Sequence, residues 1–173
     1  VLLLDNKTMA LHTPFLMKRA LLDRYNQGGE MEKILVPVDG SKQSHKAVAF
    51  AADLAKHYNA TLYLLHVFKL TIIPEGLGEY VVLERAQLQA LGDKIISAAE
   101  GEAKGRGIER IEATVVEGDP AERIIDYAKE HDMDIIVIGS RGLGAFKGLL
   151  LGSVSNKVSH RADRTCVIVR QGF

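Results

Sequence analysis

Five short runs of apolar, β-favouring residues, joined by stretches with helical spacing, restrict this chain more than any other feature. The runs are residues 34–38, 61–67, 111–115 and 135–138, and then Cys166, Val167, Ile168 and Val169. A run such as Ile135, Ile136, Val137, Ile138 is apolar at every position and suits a strand buried on both faces. In the third run Ile111, Ala113 and Val115 alternate with Glu112 and Thr114, the period of a half-exposed edge strand. Between the first two runs Ala47, Val48, Ala51, Leu54, Ala55 and Tyr58 form one apolar stripe at three- and four-residue steps, with Ser41 or Ser44 as its cap. Residues 81–104 read as a long helix leaving through Gly105, Arg106 and Gly107, and residues 68–80, with Pro74, Gly76 and Gly78, as a loop. Asp119, Pro120 and Glu122 stand at the N-cap, first and third positions of a third helix, where each helps satisfy free backbone donors. Residues 153–160 give a fourth. The order β-α-β-α-β-α-β-α-β, with right-handed crossovers, is that of an α/β fold: a doubly wound five-stranded parallel sheet with helices on both faces.

Composition limits what such a fold can do. The 173 residues suit one domain with an adequate core. Lys plus Arg and Asp plus Glu both total 22, which removes the basic excess expected of a nucleic-acid binder. Cys166 is the single cysteine, so an internal disulfide or a Cys-x-x-Cys pair is excluded, and a reducing cytoplasm is the expected compartment. No apolar run reaches the roughly 18 residues of a membrane span. Residues 1–30 lack the pattern of residues 31–173 and read as an N-terminal extension without chemistry. Gln27, Gly28, Gly29 and Glu30 can be encoded by codons that contain a ribosome-binding sequence just ahead of Met31. Translated upstream or vector sequence is one reading; a genuine appendage packing on the domain or a partner is the other.

Sheets of this class bind ligands at the carboxyl ends of strands where strand order reverses. Two segments carry suitable chemistry: Asp39, Gly40 and Ser41 after the first strand, and the stretch from Gly139 after the fourth. Gly139, Ser140, Arg141 and Gly142, followed after nine residues by Gly152, Ser153, Val154 and Ser155, suggest a backbone free to approach a ligand and a helix start with free N–H groups and a positive dipole end for phosphate. Ser153 and Ser155 add hydroxyls, and the Asp39 carboxylate, a pure acceptor, suits ribose hydroxyls. No Gly-Lys-Ser/Thr occurs, and Lys147 stands where a dinucleotide fingerprint needs its third glycine. Arg141 and Lys147 reach either phosphate or water. His66 reads as a satisfied core histidine, Cys166 as a small core or interface residue, and the charges of residues 81–104 as a solvated face. The other histidines show no paired metal spacing, and no metal or catalytic residue is assigned.

From about Met31 to Arg170 the sequence resembles the universal stress proteins. Lys33, Ile34, Leu35, Val36, Pro37, Val38, Asp39, Gly40 and Ser41 are similar to that family's first strand and turn, and Leu64, Leu65, His66 and Val67 to its second strand. Gly118, Asp119 and Pro120, and then residues 134–139, resemble the entries to its third helix and fourth strand. Gly139, Gly142, Gly152 and Ser153 fill the Gly-x2-Gly-x9-Gly-Ser/Thr pattern of its ATP-binding subclass. The resemblance implies strand order 3-2-1-4-5, with Pro37, Val38 and Asp39 beside ribose and base. It also implies that Val67 meets adenine through its backbone and that Ile138 lies against the ring. Gly139, Gly142, Gly152, Ser153, Val154 and Ser155 would surround the phosphates, and Mg2+ would arrive with the ATP. It further implies a homodimer through the last strand, which also answers the liability of an exposed apolar edge at residues 166–169. Arg164 and Thr165 replace the proline often found before that strand.

The resulting expectation is a cytoplasmic, homodimeric, ATP-binding stress-response regulator whose occupied state is read by an unidentified protein partner, acting on neither nucleic acid nor membrane. No base for in-line water attack is assigned, so hydrolysis or self-phosphorylation is expected to be slow. Two other readings are an ATP-splitting adenylating enzyme of the related α/β group, whose Ser-Gly-Gly-x-Asp-Ser loop is missing here, and a dimeric interaction module that has lost nucleotide binding.

Overall fold

The computed structural model describes residues 2–4, 31–70, 84–144 and 151–170. In chain order the elements are β1 (Leu2–Leu4), β2 (Lys33–Pro37), α1 (Lys42–Tyr58), β3 (Thr61–Phe68), α2 (Arg85–Gly105), β4 (Ile111–Glu117), α3 (Pro120–Glu130), β5 (Ile135–Gly139), α4 (Ser153–Arg161) and β6 (Thr165–Val169). The expected loop beyond residue 70, the first residues of the long helix at 81–83, and Lys147 lie outside the described residues.

All pairings are parallel and the sheet runs β1-β6-β5-β2-β3-β4. Numbered within the domain alone, its five strands take the order 3-2-1-4-5, as the resemblance implies. The sixth strand corrects the expected edge. Leu2, Leu3 and Leu4, from the segment set apart as an extension, lie opposite Val167, Ile168 and Val169, so the outer edge of β6 is covered. An edge presents unpaired N–H and C=O groups to any extended segment that reaches it, and the pattern of the edge strand does not specify which one.

Alternation along the strands divides the core into two layers. On one face Val48, Ala51, Ile96 and Ala99 of α1 and α2 pack over Ile34, Val36, Leu62, Leu64 and Val137. On the other, Ile124, Ala128 and Val158 of α3 and α4 cover Leu35, Leu65, Ile136, Ile138 and Ile168. Each fully buried Leu, Ile or Val contributes roughly 1.5–3 kcal/mol relative to exposure, so the paired layers hold the sheet against its entropy cost. Ile111, Ala113 and Val115 pack partly buried against the α1/α2 layer, as a half-exposed edge strand requires. Since α1 and α4 leave β2 and β5 toward opposite faces, the carboxyl ends of these neighbouring strands open into a crevice.

Helix ends follow local chemistry. Beyond α2, Gly107 takes φ +81° while its N–H and that of Ile108 bond to the Lys104 and Ala103 carbonyls, a Schellman closure. Asp119 caps α3 by accepting from the Ala121 and Glu122 N–H groups. The Glu122 side chain does not complete the expected capping box; it forms a two-pronged ion pair with Arg161 of α4 instead. A bidentate guanidinium pair outcompetes one further backbone bond at an exposed site. Among the described residues no helix is long and apolar enough to cross a membrane.

Candidate functional site

The crevice has a floor tied by hydrogen bonds. Beyond β2 the Val38 N–H donates to the Leu65 carbonyl at 2.9 Å, and the Val38 carbonyl accepts from His66 Nδ1 at 2.8 Å. That carbonyl can only accept, so the His66 proton resides on Nδ1; this is the satisfied core histidine expected from its apolar run. The chain then turns through Gly40 at φ +79°, a conformation glycine adopts without strain. Asp39 Oδ1 accepts from the Ser41 N–H at 3.0 Å, and Ser41 Oγ accepts from the Ser44 N–H at 3.1 Å, which caps α1.

Opposite, the chain leaves β5 through Gly139. The Ser140 N–H donates to the Val169 carbonyl, and the Ser140 carbonyl accepts from the Gly152 N–H, both at 2.7 Å, so the two ends of the glycine-rich loop are clamped together. Gly152 is the N-cap of α4 and has no side chain to supply a cap bond, so the N–H groups of Ser153, Val154 and Ser155 open the helix without one. Ser153 is exposed, whereas the buried Ser155 Oγ lies 2.9 Å from the Ser140 carbonyl and 3.0 Å from that of Gly152. Its single proton is committed to the loop, so the Ser155 hydroxyl braces the clamp and does not donate into the crevice.

The glycines are needed for reasons other than those the spacing suggests. A Cβ on Gly139 would lie 2.8–2.9 Å from the backbone C and O of Gln43 in the first turn of α1. A Cβ on Gly142 would run into the Asp39 carboxylate. In both places the space is taken by the chain itself. Gly152 is less crowded; its nearest neighbour would be the Arg141 Cα at 3.4 Å.

Pro37, Val38, Asp39, Val67, Ile138, Gly139, Arg141, Gly142, Gly152, Ser153, Val154 and Ser155 all line one cavity of about 480 Å³. The sequence reading missed one wall of it. Leu88, Leu91 and Ile95 of α2, with Phe68, Pro120 and Ile124, make that wall apolar, and half-exposed Leu91 stands at its rim. The Leu88, Leu91 and Ile95 stripe at helical steps was visible, but nothing local says that it faces a cavity. The two halves of the cavity therefore differ: one is apolar, the other carries the start of α4. The Arg141 Nε is buried and has no hydrogen-bond partner among the described residues. Asp39 is the only carboxylate among the described residues that line the cavity, and both its oxygens accept backbone N–H groups, the second from Leu143 at 3.0 Å. Among the described residues no group of three His, Cys, Asp or Glu is placed to bind a metal ion. Cys166 is buried in β6, and desolvation pushes its thiol up to about 11, so it is a protonated core residue at neutral pH.

A family model described as the universal stress protein family matches residues 30–170. The universal stress protein YxiE of Bacillus subtilis (strain 168) is 36% identical over 146 residues, spanning 80% of this chain and 98% of that protein. The universal stress protein MJ0531 of Methanocaldococcus jannaschii is 28% identical over 161 residues, or 90% of this chain and 92% of that one. Among solved structures, a universal stress protein in complex with cAMP is similar with a TM-score of 0.64 and 28% identity, covering 82% of this chain and 98% of that one.

Proposed function

This chain belongs to the universal stress protein family, and we propose that it is a cytoplasmic, ATP-binding stress-response regulator whose nucleotide-dependent state is read by a protein partner. The observation that carries the reading is the two-sided cavity where β2 and β5 diverge: an apolar wall beside Val38, Val67 and Ile138 for the purine, and the uncapped start of α4 for phosphate. In this reading Pro37 and Asp39 lie beside the ribose, and the Gly139, Gly142 and Gly152 backbone with Ser153 and Val154 follows the phosphates. The Arg141 guanidinium supplies positive charge to them. Mg2+ enters with the triphosphate, beside Ser153. Binding of an adenine compound by a relative, as in the cAMP complex, supports the ligand class.

Regulation fits this site better than turnover. Among the described residues that line the cavity, Asp39 has both oxygens engaged by backbone N–H groups and His66 is held through Nδ1 on the Val38 carbonyl, and neither is assigned as a base for in-line attack. Hydrolysis or self-phosphorylation is accordingly slow. The homodimer belongs at the outer edge of β6; Leu2–Leu4 lies along that edge, so pairing of two copies there requires this strand to leave or to be exchanged.

Nucleotide analysis of the purified protein after denaturation tests the reading, together with thermal unfolding with and without Mg-ATP. Released adenine nucleotide is expected, with a stabilisation of about 2.7 kcal/mol at 100 times the dissociation constant. Absence of any adenine compound and an unmoved transition with ATP, AMP and cAMP alike would overturn it. Sedimentation of the full chain checks the dimer.

A further inference from the structure

We propose that Asp39 is a positioning residue for the loop that follows β5, holding residues 141–143 through the Leu143 N–H, and that Gly142 is glycine because this carboxylate fills the space beside it. The phosphate half of the proposal rests on the nucleotide reading above; the mechanical half does not.

The carboxylate is fixed from both sides. Oδ1 accepts from the Ser41 N–H at 3.0 Å, in the turn that starts α1. Oδ2 accepts from the Leu143 N–H at 3.0 Å, across 104 residues of chain. A third tie is parallel to these: Ser41 Oγ donates to the Arg141 carbonyl at 3.4 Å. Between the tied residues lies Gly142, whose added Cβ would collide with Oδ2 and come within 3.4 Å of Cγ. A side chain there displaces the acceptor before it meets any ligand.

The two halves of the glycine motif thus answer to different things. Gly152 opens α4, while Gly142 matches a carboxylate within the protein. Each Asp39 oxygen has a second lone pair, so contact with a ribose hydroxyl and control of the loop are compatible. Asn at this position has one acceptor oxygen and one N–H-bearing nitrogen, and so satisfies one of the two backbone donors and opposes the other.

The test uses the full chain with Asp39→Asn, Asp39→Ala, Gly142→Ala and the double variant Asp39→Ala/Gly142→Ala. Hydrogen exchange of the Leu143 amide is read without ligand, and affinities are read for adenosine and for Mg-ATP. Loss of the Asp39 acceptor should speed Leu143 exchange at least tenfold. It should also weaken ATP at least tenfold more than it weakens adenosine, whose smaller loss reads the ribose contact alone. Gly142→Ala should weaken ATP alone, and add nothing once Asp39 is Ala. Equal losses for adenosine and ATP, with unchanged Leu143 exchange, would reduce Asp39 to a ribose contact and overturn the proposal. Additive effects of the two substitutions would do the same. If the unaltered protein binds no adenine compound, the nucleotide reading fails; the exchange rates and a thermal-stability cycle over the same variants still decide whether Asp39 and Gly142 are coupled.

Discussion

Helices α1 and α4 begin beside the same crevice, one after β2 and the other after a loop from β5, yet the chain closes the first and leaves the second open. At α1, Ser41 accepts from the Ser44 N–H and Asp39 from the Ser41 N–H, so two donors at this helix start are met from within. At α4 the N-cap is Gly152, which has nothing to offer. Both starts carry the same partial positive charge. What differs is that among the described residues a side chain caps α1 and none caps α4, and a helix start without a cap favours an anion.

The comparison breaks most severely at Gly139. Gly139→Ala places a Cβ against the Gln43 backbone, so α1 must shift from β5, and a loss of about 1–3 kcal/mol is expected from urea midpoints. An unchanged midpoint would show that the two elements are not in close contact. The sharper experiment gives α4 the cap it lacks. Gly152→Asp should satisfy the first-turn N–H groups with a resident carboxylate, raising stability by a few tenths of a kcal/mol. It should also weaken Mg-ATP at least tenfold, about 1.4 kcal/mol, in calorimetric titrations. Retained affinity would mean that the helix start is not the phosphate site.

Conversely, Ser41→Ala removes the cap of α1 and should lower stability by about 1 kcal/mol, while adenosine affinity stays within about twofold. A third helix start, far from the comparison in chemistry, gives the smallest effect. Burial of Asp119 pushes its carboxyl up, but the Glu122 N–H, then Lys157, the Ala121 N–H and Lys69 outweigh this and hold it below the usual range. A carboxylate more acidic folded than unfolded stabilises above its unfolded pKa, and that contribution is lost as pH falls through the folded value. Asp119→Ala should therefore cost about 0.5–1 kcal/mol at pH 7, and the gap to the unaltered protein should narrow below about pH 4. A gap that does not change with pH would sink the carboxylate's role.

Much of this architecture was legible because it is written in local periods. The apolar runs, the stripe from Ala47 to Tyr58, and Asp119 with Pro120 each specify an element within a few residues of themselves. The glycine spacing also pointed to the cavity that these residues line, but not to their packing. Gly139 answers to Gln43 and Gly142 to Asp39, partners about a hundred positions away that no short motif mentions. Leu88, Leu91 and Ile95 announced a helix face without saying that it borders the cavity. Leu2–Leu4 announced only an apolar segment, and its place on β6 rests on backbone pairing along an edge whose own pattern names no partner.

By itself, then, the sequence determined which segments become strands and helices and that glycine, serine and a carboxylate meet at strand exits, because those properties depend on side chains a few positions apart. Tertiary structure decided which donors are spent and which stay open: the cap on α1, the bare start of α4, the two-sided grip on Asp39, the covered edge of β6. Hydrogen bonds and excluded volume act over a few ångströms in space, whatever the distance along the chain, so that allocation exists only once the sheet has brought its strand ends together.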